Sequence, residues 1–419
     1  MRTFGQTLRN CLPAVGLGLI SAFGVASVMV ATAPSAMAQS GPKSSKEFVE
    51  AYQAATAAYN SRNYAVALQK LDSAATHAKT NQEKGAVEQM RVGIYCAQNN
   101  YAQCIASIEK ARAIGGVSGA LNQNYDKQLY SAYKGAGQTA KANAQLKANV
   151  TKYGGTADEL AVLAKMEVDA KNYGEAIKLA KQSIAKSGSK PVPYNILLNA
   201  YTAQKNMPEF YNTLEKAAIA FKTATYWKPF IEHAKAEPNY RSGSAGLDVY
   251  RALDAAGVKL TDSEKFEWGK QAQSQGLSIE AEKVMAPLFK SGVYGGASDK
   301  SKDANLRTYS LIQSEAKKDR EGGLKADETV AAAAPSGQQY ALIGEAYLGS
   351  GEWAKAIDMF QKSLAKGQMD AGQTALVNLR LGIAQFKGGK KSDAVKTWTA
   401  IKADNGAAWL ARSWIAISK

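Results

Sequence analysis

A pattern of small and aromatic residues recurs along the chain at intervals of about 34 to 38 residues, and it limits the possible folds more than any other feature. The clearest copy reads YALIGEAYLGSGEWAKAIDMFQKSL at 340–364, with Gly344, Tyr347, Ala356 and Phe360 as its skeleton. The turn of this copy is GEWAKAI, in which a bulky residue precedes a small one, and three other segments repeat it: RNYAVAL, NNYAQCI and KNYGEAI. A repeat of this length indicates helical hairpins that bury their apolar faces only by stacking on one another.

One residue near the start of the second helix of each hairpin aligns the copies. We call these residues the anchors: Ala67, Cys104, Ala142, Ala176, Phe210, Ala281, Ala356 and Ala394. The skeleton around them resembles the tetratricopeptide repeat, a helix–turn–helix unit of about 34 residues. The resemblance implies an all-α fold, namely an α-solenoid (a right-handed superhelix) of about eight or nine tetratricopeptide-like hairpins.

The strength of the repeat varies along the chain and predicts its domain organisation. We expect an N-terminal array of tetratricopeptide-like hairpins over 47–235, followed by degenerate helical repeats over 236–335. A segment rich in glycine and serine predicts a loop or hinge at 290–303. A C-terminal pair of repeats is expected over 336–419, where the last segment, AAWLARSWIAI, has an apolar face at helical spacing and is expected to form a capping helix.

The N-terminus has the organisation of a secretory signal peptide over 1–38. Two arginines precede an uncharged, apolar run at 11–33, and the small residues of A-M-A predict cleavage between Ala38 and Gln39. A short linker then follows at 39–46. Because the apolar run is longer than the usual core of a signal peptide, the alternative is an uncleaved inner-membrane anchor that faces the periplasm. The sequence thus predicts an exported, periplasmic bacterial member of the tetratricopeptide-repeat family.

The composition is strongly basic, with a formal net charge of +16 at pH 7. On an exported protein this charge favours contact with the anionic surfaces of a cell envelope. Export argues against nucleic acid as a partner, and the sequence has no basic motif with interleaved aromatic residues. The alternative interpretation is a charge that serves solubility, since lysines are spread over most of the predicted helices. The lysine-rich segment 386–396 is open to the same two interpretations.

Two S-x-x-K sequences raise the question of a catalytic serine, because this spacing is found in penicillin-binding proteins and β-lactamases. Ser363 and Lys366 have the same place in their repeat as Ser183 and Lys186. A motif that recurs with the repeat indicates a packing role, and the S-D-N and K-T-G elements of those enzymes are absent from the sequence. We therefore expect no catalytic residue and no enzyme.

The sequence predicts no cofactor and no metal site. It contains two histidines and neither H-E-x-x-H nor C-x-x-C. Beyond the signal segment the cysteines are Cys96 and Cys104, which bracket a predicted hairpin turn. An exported compartment permits a disulfide between them, and the alternative is two buried apolar thiols.

The resemblance implies a concave groove lined by the first helix of each hairpin. The groove candidates, carried over position by position, are Asn124, Lys127, Ser131, Lys134, Lys165, Asn195 and Asn199. The last two resemble part of the carboxylate clamp with which some members of the family hold peptide C-termini. The lysines suit an acidic peptide or a carboxylate. The alternative is an ordinary solvated helix face.

These features predict a non-enzymatic protein-interaction scaffold of the bacterial cell envelope, which binds a protein or peptide through the concave groove. The alternative function is recognition of an anionic envelope polymer, either peptidoglycan or a polysaccharide, by the basic surface. Membrane contact is expected only through the signal segment, if that segment stays uncleaved.

Overall fold

The computed structural model describes residues 44–238, 240, 242–295, 303–402 and 406–419, without the side chains of 242–244. The signal peptide, the Ala38–Gln39 cleavage site and most of the linker lie outside the described residues. Every regular element within them is helical, as the repeat predicts. No helix in this part of the chain is both long enough and apolar enough to span a bilayer.

The described residues divide into two compact units, of which the first ends at Ala200 and the second runs from Tyr201 to Lys419. The first, called here the N-terminal unit, contains four hairpins and most of a further helix, α9. Its helices are α1 (Lys46–Asn60), α2 (Tyr64–His77), α3 (Asn81–Ala97), α4 (Tyr101–Ile114), α5 (Gly119–Gly135), α6 (Thr139–Tyr153), α7 (Ala157–Asp169), α8 (Tyr173–Lys186) and α9 (Pro191–Ala203).

The second, called here the C-terminal unit, begins with helices that the sequence pattern marks as degenerate. Its helices are α10 (Met207–Phe221), α11 (Ala224–Glu232), α12 (Ser242–Ala255), α13 (Asp262–Ser274), α14 (Ser278–Lys290), α15 (Ala304–Lys318), α16 (Leu324–Ala333), α17 (Gln338–Ser350), α18 (Trp353–Lys366), α19 (Ala371–Lys387), α20 (Lys391–Thr399) and α21 (Ala407–Ile417). Helices α13 and α14, α17 and α18, and α19 and α20 pair as hairpins. Of the segment predicted as a loop or hinge, 290–303, residues 296–302 lie outside the described residues.

The anchors lie in the core, which confirms the alignment of the repeats. All of them are at most 5% exposed. Where the first helix of a hairpin has glycine twelve residues before the anchor, the second helix comes too close for any side chain. A Cβ atom on Gly344 would lie 2.7 Å from the Phe360 ring, and one on Gly382 would lie 2.2 Å from Nε1 of Trp398. The small residue and the bulky residue of the repeat therefore form one contact.

The turn inside each hairpin uses a left-handed residue two positions before the second helix. Gly137, Gly351 and Gly389 occupy this place in three hairpins, whereas Arg62 and Lys171 adopt φ values of 56° and 62° in two others. Only glycine enters this region without steric cost. The other side chains are held there because the backbone N–H that follows bonds back to the end of the first helix, as Asn172 does to Glu167 at 2.7 Å.

The capping helix α21 does more than cover the last repeat. Its Trp414 ring stacks on Trp398 of α20, with ring centroids 5.7 Å apart, as a cap would. It also returns to the start of the C-terminal unit, where Nε1 of Trp409 donates to the carbonyl of Phe230 at 2.6 Å. Arg412 donates to Glu215 of α10 at 2.7 Å. The first and last helices of this unit are therefore packed together, an arrangement that the repeat pattern did not predict.

Candidate binding sites

Four of the groove candidates form one face of α5. Lys127, Ser131 and Lys134 are exposed and Asn124 is half-buried. Spacings of three and four residues place these side chains on a common helix face. The residues Tyr125, Leu129 and Ala132 on the other side are buried. We call this exposed face the α5 surface.

The other groove candidates lie on α7, the first helix of the next hairpin, and on α9. Lys165 on α7 is exposed, but its ammonium group lies 2.7 Å from the carboxylate of Asp169, one turn further along. This pair compensates part of the positive charge expected there. Asn195 is half-buried on α9, and Asn199 is exposed. Lys127 and Lys134 make no ion pair with any residue that the structure describes, so among the groove candidates the unpaired positive charge is on α5.

A buried carboxylate fixes α5 to the helices beside it. Asp126 accepts hydrogen bonds from Arg112 at 2.7 Å and from the Tyr153 hydroxyl at 2.7 Å. Burial opposes its ionisation, but the hydrogen bonds from Tyr153 and Arg112 outweigh this effect and lower the pKa of Asp126. Asn149 also donates to the Asp126 carbonyl at 2.9 Å. The α5 surface is thus held by a polar node that the sequence analysis missed.

Cys96 and Cys104 form a disulfide that joins the end of α3 to α4, with their Cα atoms 5.1 Å apart. Cys104 is an anchor and is 1% exposed. Of the two interpretations that the sequence left open, the structure contains the bridge. Its place inside one hairpin turn indicates a structural role.

The S-x-x-K serines are buried packing residues. Ser183 is 1% exposed and donates to the carbonyl of Ala157 at 2.7 Å. Ser363 is fully buried, and its hydroxyl lies 3.6 Å from the sulfur of Met369. The ammonium group of Lys366 donates to the carbonyls of Ala331 and Ala332 at 2.9 and 2.8 Å. These contacts join neighbouring helices and leave neither hydroxyl open to a substrate.

A cluster of charged residues lies in the core of the C-terminal unit. Its members, called here the ion cluster, are Asp248, Arg251, Glu280, Glu345 and Arg380, each at most 7% exposed. Arg251 donates to the Glu280 carboxylate from Nε and Nη2, at 2.9 and 2.5 Å, and to the Asp248 carboxylate at 2.8 Å. Arg380 reaches the other oxygen of Asp248 at 3.1 Å and also bonds Glu345.

The ion cluster has three carboxylates for two guanidinium groups, so its charges do not balance. Oε2 of Glu345 has no hydrogen-bond partner in the described part of the chain. Burial raises the pKa of Glu345, although Arg380 and Arg251 act in the opposite direction. The sequence signal for this cluster was a charged residue inside an apolar stretch, such as Arg380 between Leu379 and Leu381.

Beside the ion cluster lies a pocket of about 370 Å³, which we call the C-terminal pocket. Its walls come from α12, α13, α14, α17, α18, α19 and α21. Its lining includes Trp268, Trp353, Trp414, Val284, Lys265 and Lys283. The groove candidates include no residue of this unit. Of the lining, Lys387 alone lies in a segment that was considered as an anion contact, 386–396, and the sequence did not predict the pocket itself.

The described residues contain no group of three or more His, Cys, Asp or Glu side chains placed to hold a metal ion. His233 is stacked against Tyr211, with ring centroids 3.7 Å apart. Burial and the nearby Arg412 lower the pKa of His233 to about 4. This half-buried histidine is therefore neutral at physiological pH.

Comparison with known proteins gave no matching family model and no matching curated protein. Several solved structures are similar. A tetratricopeptide repeat protein from Parabacteroides merdae is 12% identical, with 81% of this chain and 100% of that chain covered and a TM-score of 0.33. The C-terminal part of a TPR repeat-containing protein from Cytophaga hutchinsonii is 14% identical, covering 78% and 98%, with a TM-score of 0.31. Yeast Tom70 is 11% identical, covering 89% and 96%, with a TM-score of 0.22.

The identification of the hairpins as tetratricopeptide-like depends on this chain itself. Its repeat skeleton predicts helix pairs, the pairs are present, and the anchors are buried between them.

Proposed function

We propose that the chain is a non-enzymatic protein-interaction scaffold of the bacterial cell envelope, exported to the periplasm by its signal segment and binding a protein or peptide through the α5 surface. The observation that carries the proposal is the pair of exposed, uncompensated lysines, Lys127 and Lys134, on the first helix of a hairpin. A cleaved signal peptide fits a free periplasmic protein. An uncleaved one would anchor the same scaffold to the inner membrane, facing the periplasm.

The spacing of the two lysines suits an acidic peptide. Seven residues of α-helix separate their Cα atoms by about 10 Å. Alternate side chains of an extended strand lie about 7 Å apart, so two acidic residues of one segment can reach both ammonium groups through the flexible lysine stems. Ser131 lies between them, and its hydroxyl bonds to the Lys127 carbonyl at 3.3 Å. Because these charges are exposed, they contribute more to association rate and specificity than to affinity.

The fixed position of α5 supports the same function. Asp126 holds the opposite side of this helix through Arg112 and Tyr153, so the helix that carries the lysines is in place before a partner arrives. Less conformational entropy is then lost on binding.

A second candidate function is recognition of an anionic envelope polymer, such as peptidoglycan or a polysaccharide. The observation that favours it is the exposed lysine-rich turn between α19 and α20, where Lys387, Lys390 and Lys391 are all exposed. A polymer bound by distributed charge would be released by salt, whereas a protein fitted to one surface would resist moderate salt.

The two functions separate in a capture experiment. The full-length protein is used to capture partners from envelope extract at low and high salt, as wild type, as K127E/K134E and as the control K70E/K186E. The control lysines are exposed on second helices, and the change in net charge is the same. We expect one salt-resistant protein to be captured by wild type and control and lost by K127E/K134E.

Equal capture by K127E/K134E and the control would refute the role of the α5 surface. Salt-labile sedimentation with isolated cell wall, reduced equally by both double variants, would favour the polymer instead.

A further inference from the structure

We propose that the C-terminal pocket is a second binding site, separate from the α5 surface, for a small organic acid with an apolar body. It is lined by residues of seven helices of one compact unit and has a volume of about 370 Å³. Ligand sites in proteins are typically clefts of about 300–1,000 Å³ with mostly apolar walls and a few polar groups. The pocket is therefore large enough for a single ring or a branched chain together with one acid group.

The apolar part of the site comes from three indole rings. Trp268 is 8% exposed and Trp414 is fully buried, so both form fixed walls, while Trp353 is half-buried at the edge. Val284 and Ile383 add aliphatic surface to the lining. Rigid aromatic walls favour a flat or branched apolar group over a hydrated one.

The charged part of the site is positive. The lining includes Lys259, Lys265, Lys283 and Lys387, and none of them has an ion pair with a residue that the structure describes. Asp254 is the one exposed acidic residue of the lining. An anion entering this pocket meets four ammonium groups against a single free carboxylate, which favours an acid over a neutral ligand or a cation.

The other acidic residue of the lining is paired with a cation. Glu280 accepts two bonds from Arg251, which also lines the pocket, and Nε1 of Trp268 donates to it at 3.0 Å. The bond to Glu280 fixes the Trp268 ring at the pocket wall. The ion cluster has one carboxylate more than it has guanidinium groups, and the four lysines of the lining outnumber this excess.

One polar atom of the lining residues is left without a partner. Nε1 of Trp414 is buried and makes no hydrogen bond within the described part of the chain. Because less than 1 Å² of this atom is accessible, a ligand oxygen would reach it only after the neighbouring side chains move.

An apolar group with a carboxylate can come from a free small acid or from the C-terminus of a peptide. We test both by isothermal titration of the full-length protein with indole-3-acetate, N-acetylphenylalanine and the peptide Gly-Gly-Phe. Each acid is paired with its amide, which has the same apolar body and no charge. We expect at least one acid to bind about tenfold or more tightly than its amide. Binding of the free acids alone or of the peptide alone identifies the source.

Variants then locate the binding. K265E/K283E reverses two charges of the lining, and V284F fills the pocket without a change of charge. The control K325E/K396E reverses two exposed lysines of the same unit outside the lining. We expect loss of acid binding in the first two, and wild-type affinity in the control and in K127E/K134E. The last variant separates this site from the proposed α5 surface.

Three outcomes overturn the proposal. They are equal binding of acid and amide, equal loss in the control, and no binding of any of the acids up to about 10 mM. Thermal unfolding of each variant accompanies the titrations, so that V284F is interpreted only where its melting transition matches that of the wild type. If V284F unfolds, K265E/K283E decides the result alone, because Lys283 is exposed and Lys265 is half-buried, so neither change is in the core.

Discussion

The two units of the chain apply the same hairpin in different ways. In the N-terminal unit the strongest polar contacts join neighbouring helices, as those of Asp126 do. In the C-terminal unit Arg380 bonds to Asp248, 132 residues earlier, and Arg412 bonds to Glu215, 197 residues earlier. A repeat whose contacts are local can lose part of its array and keep the rest. The C-terminal unit has contacts that no single hairpin contains, and we expect it to unfold as one body.

The largest expected effect comes from breaking the ion cluster. R380A removes one of its two cations and leaves Asp248 and Glu345 short of partners in the core. Removing one member of a buried ion pair costs about 3–5 kcal/mol. Native-state hydrogen exchange on the full-length protein should show protection falling across the whole C-terminal unit and unchanged in the N-terminal unit.

A matched control for R380A is R320A. Arg320 pairs with Glu282, but its side chain is 48% exposed, and such surface pairs contribute about 0–1 kcal/mol. Loss of protection confined to the helices around Arg380 would contradict the idea that the C-terminal unit is cooperative.

The next effect tests the close contact inside a hairpin, which both units were expected to share. G382A places a Cβ atom against the Trp398 indole at the last repeat. Overpacking of a well-filled core costs about 1–3 kcal/mol. Chemical denaturation with tryptophan fluorescence measures the loss.

Gly174 is the control, because a Cβ atom there meets no other atom within 4 Å. G174A should be neutral or slightly stabilising, since alanine favours the helix that glycine opposes. Equal effects of the two substitutions would mean that the small residue of the repeat has no packing role.

The hairpins were predictable from the sequence, and the reason is their locality. A small residue, a bulky residue and an anchor lie within one unit, so a repeated spacing records their contact. The packing of the last helix of the C-terminal unit against its first helices was not predictable. Arg412 and Glu215 are far apart in the sequence, and their contact does not recur with the repeat. The pocket was missed for the same reason. Its walls come from seven helices, whereas the family resemblance implies binding residues on the first helix of each hairpin.

A third prediction concerns the polar node under the α5 surface. D126N removes the negative charge that Arg112 and Tyr153 bind, and loss of charge-assisted hydrogen bonds costs about 1–3 kcal/mol at neutral pH. The pKa of Asp126 is lowered in the folded protein, so its contribution is present above the unfolded pKa of about 4 and disappears as pH falls through the folded pKa.

The difference in free energy of unfolding between wild type and D126N should therefore disappear at acid pH. Urea denaturation of the N-terminal unit at several pH values measures it. E175Q, at an exposed surface pair with Lys178, should show little difference at any pH. A stability difference between wild type and D126N that stays constant down to about pH 2 would mean that the charge of Asp126 does not cause that difference.

The smallest expected effect comes from the hairpin turns, and two turns of the N-terminal unit can be compared directly. Lys171 and Gly137 occupy the same left-handed position in successive hairpins, with φ values of 62° and 71°. K171G should stabilise the protein by about 0.5–1 kcal/mol, because glycine adopts this conformation without the clash of a Cβ atom, and the gain exceeds its entropy cost in the unfolded chain. G137A should destabilise it by about 1 kcal/mol for the reciprocal reason. Thermal unfolding measures both changes. A higher melting temperature for K171G and a lower one for G137A would show that the repeat requires the turn conformation and not a particular side chain at this position. A lower melting temperature for both would mean that a contact of the Lys171 side chain stabilises the protein by more than its backbone strain costs.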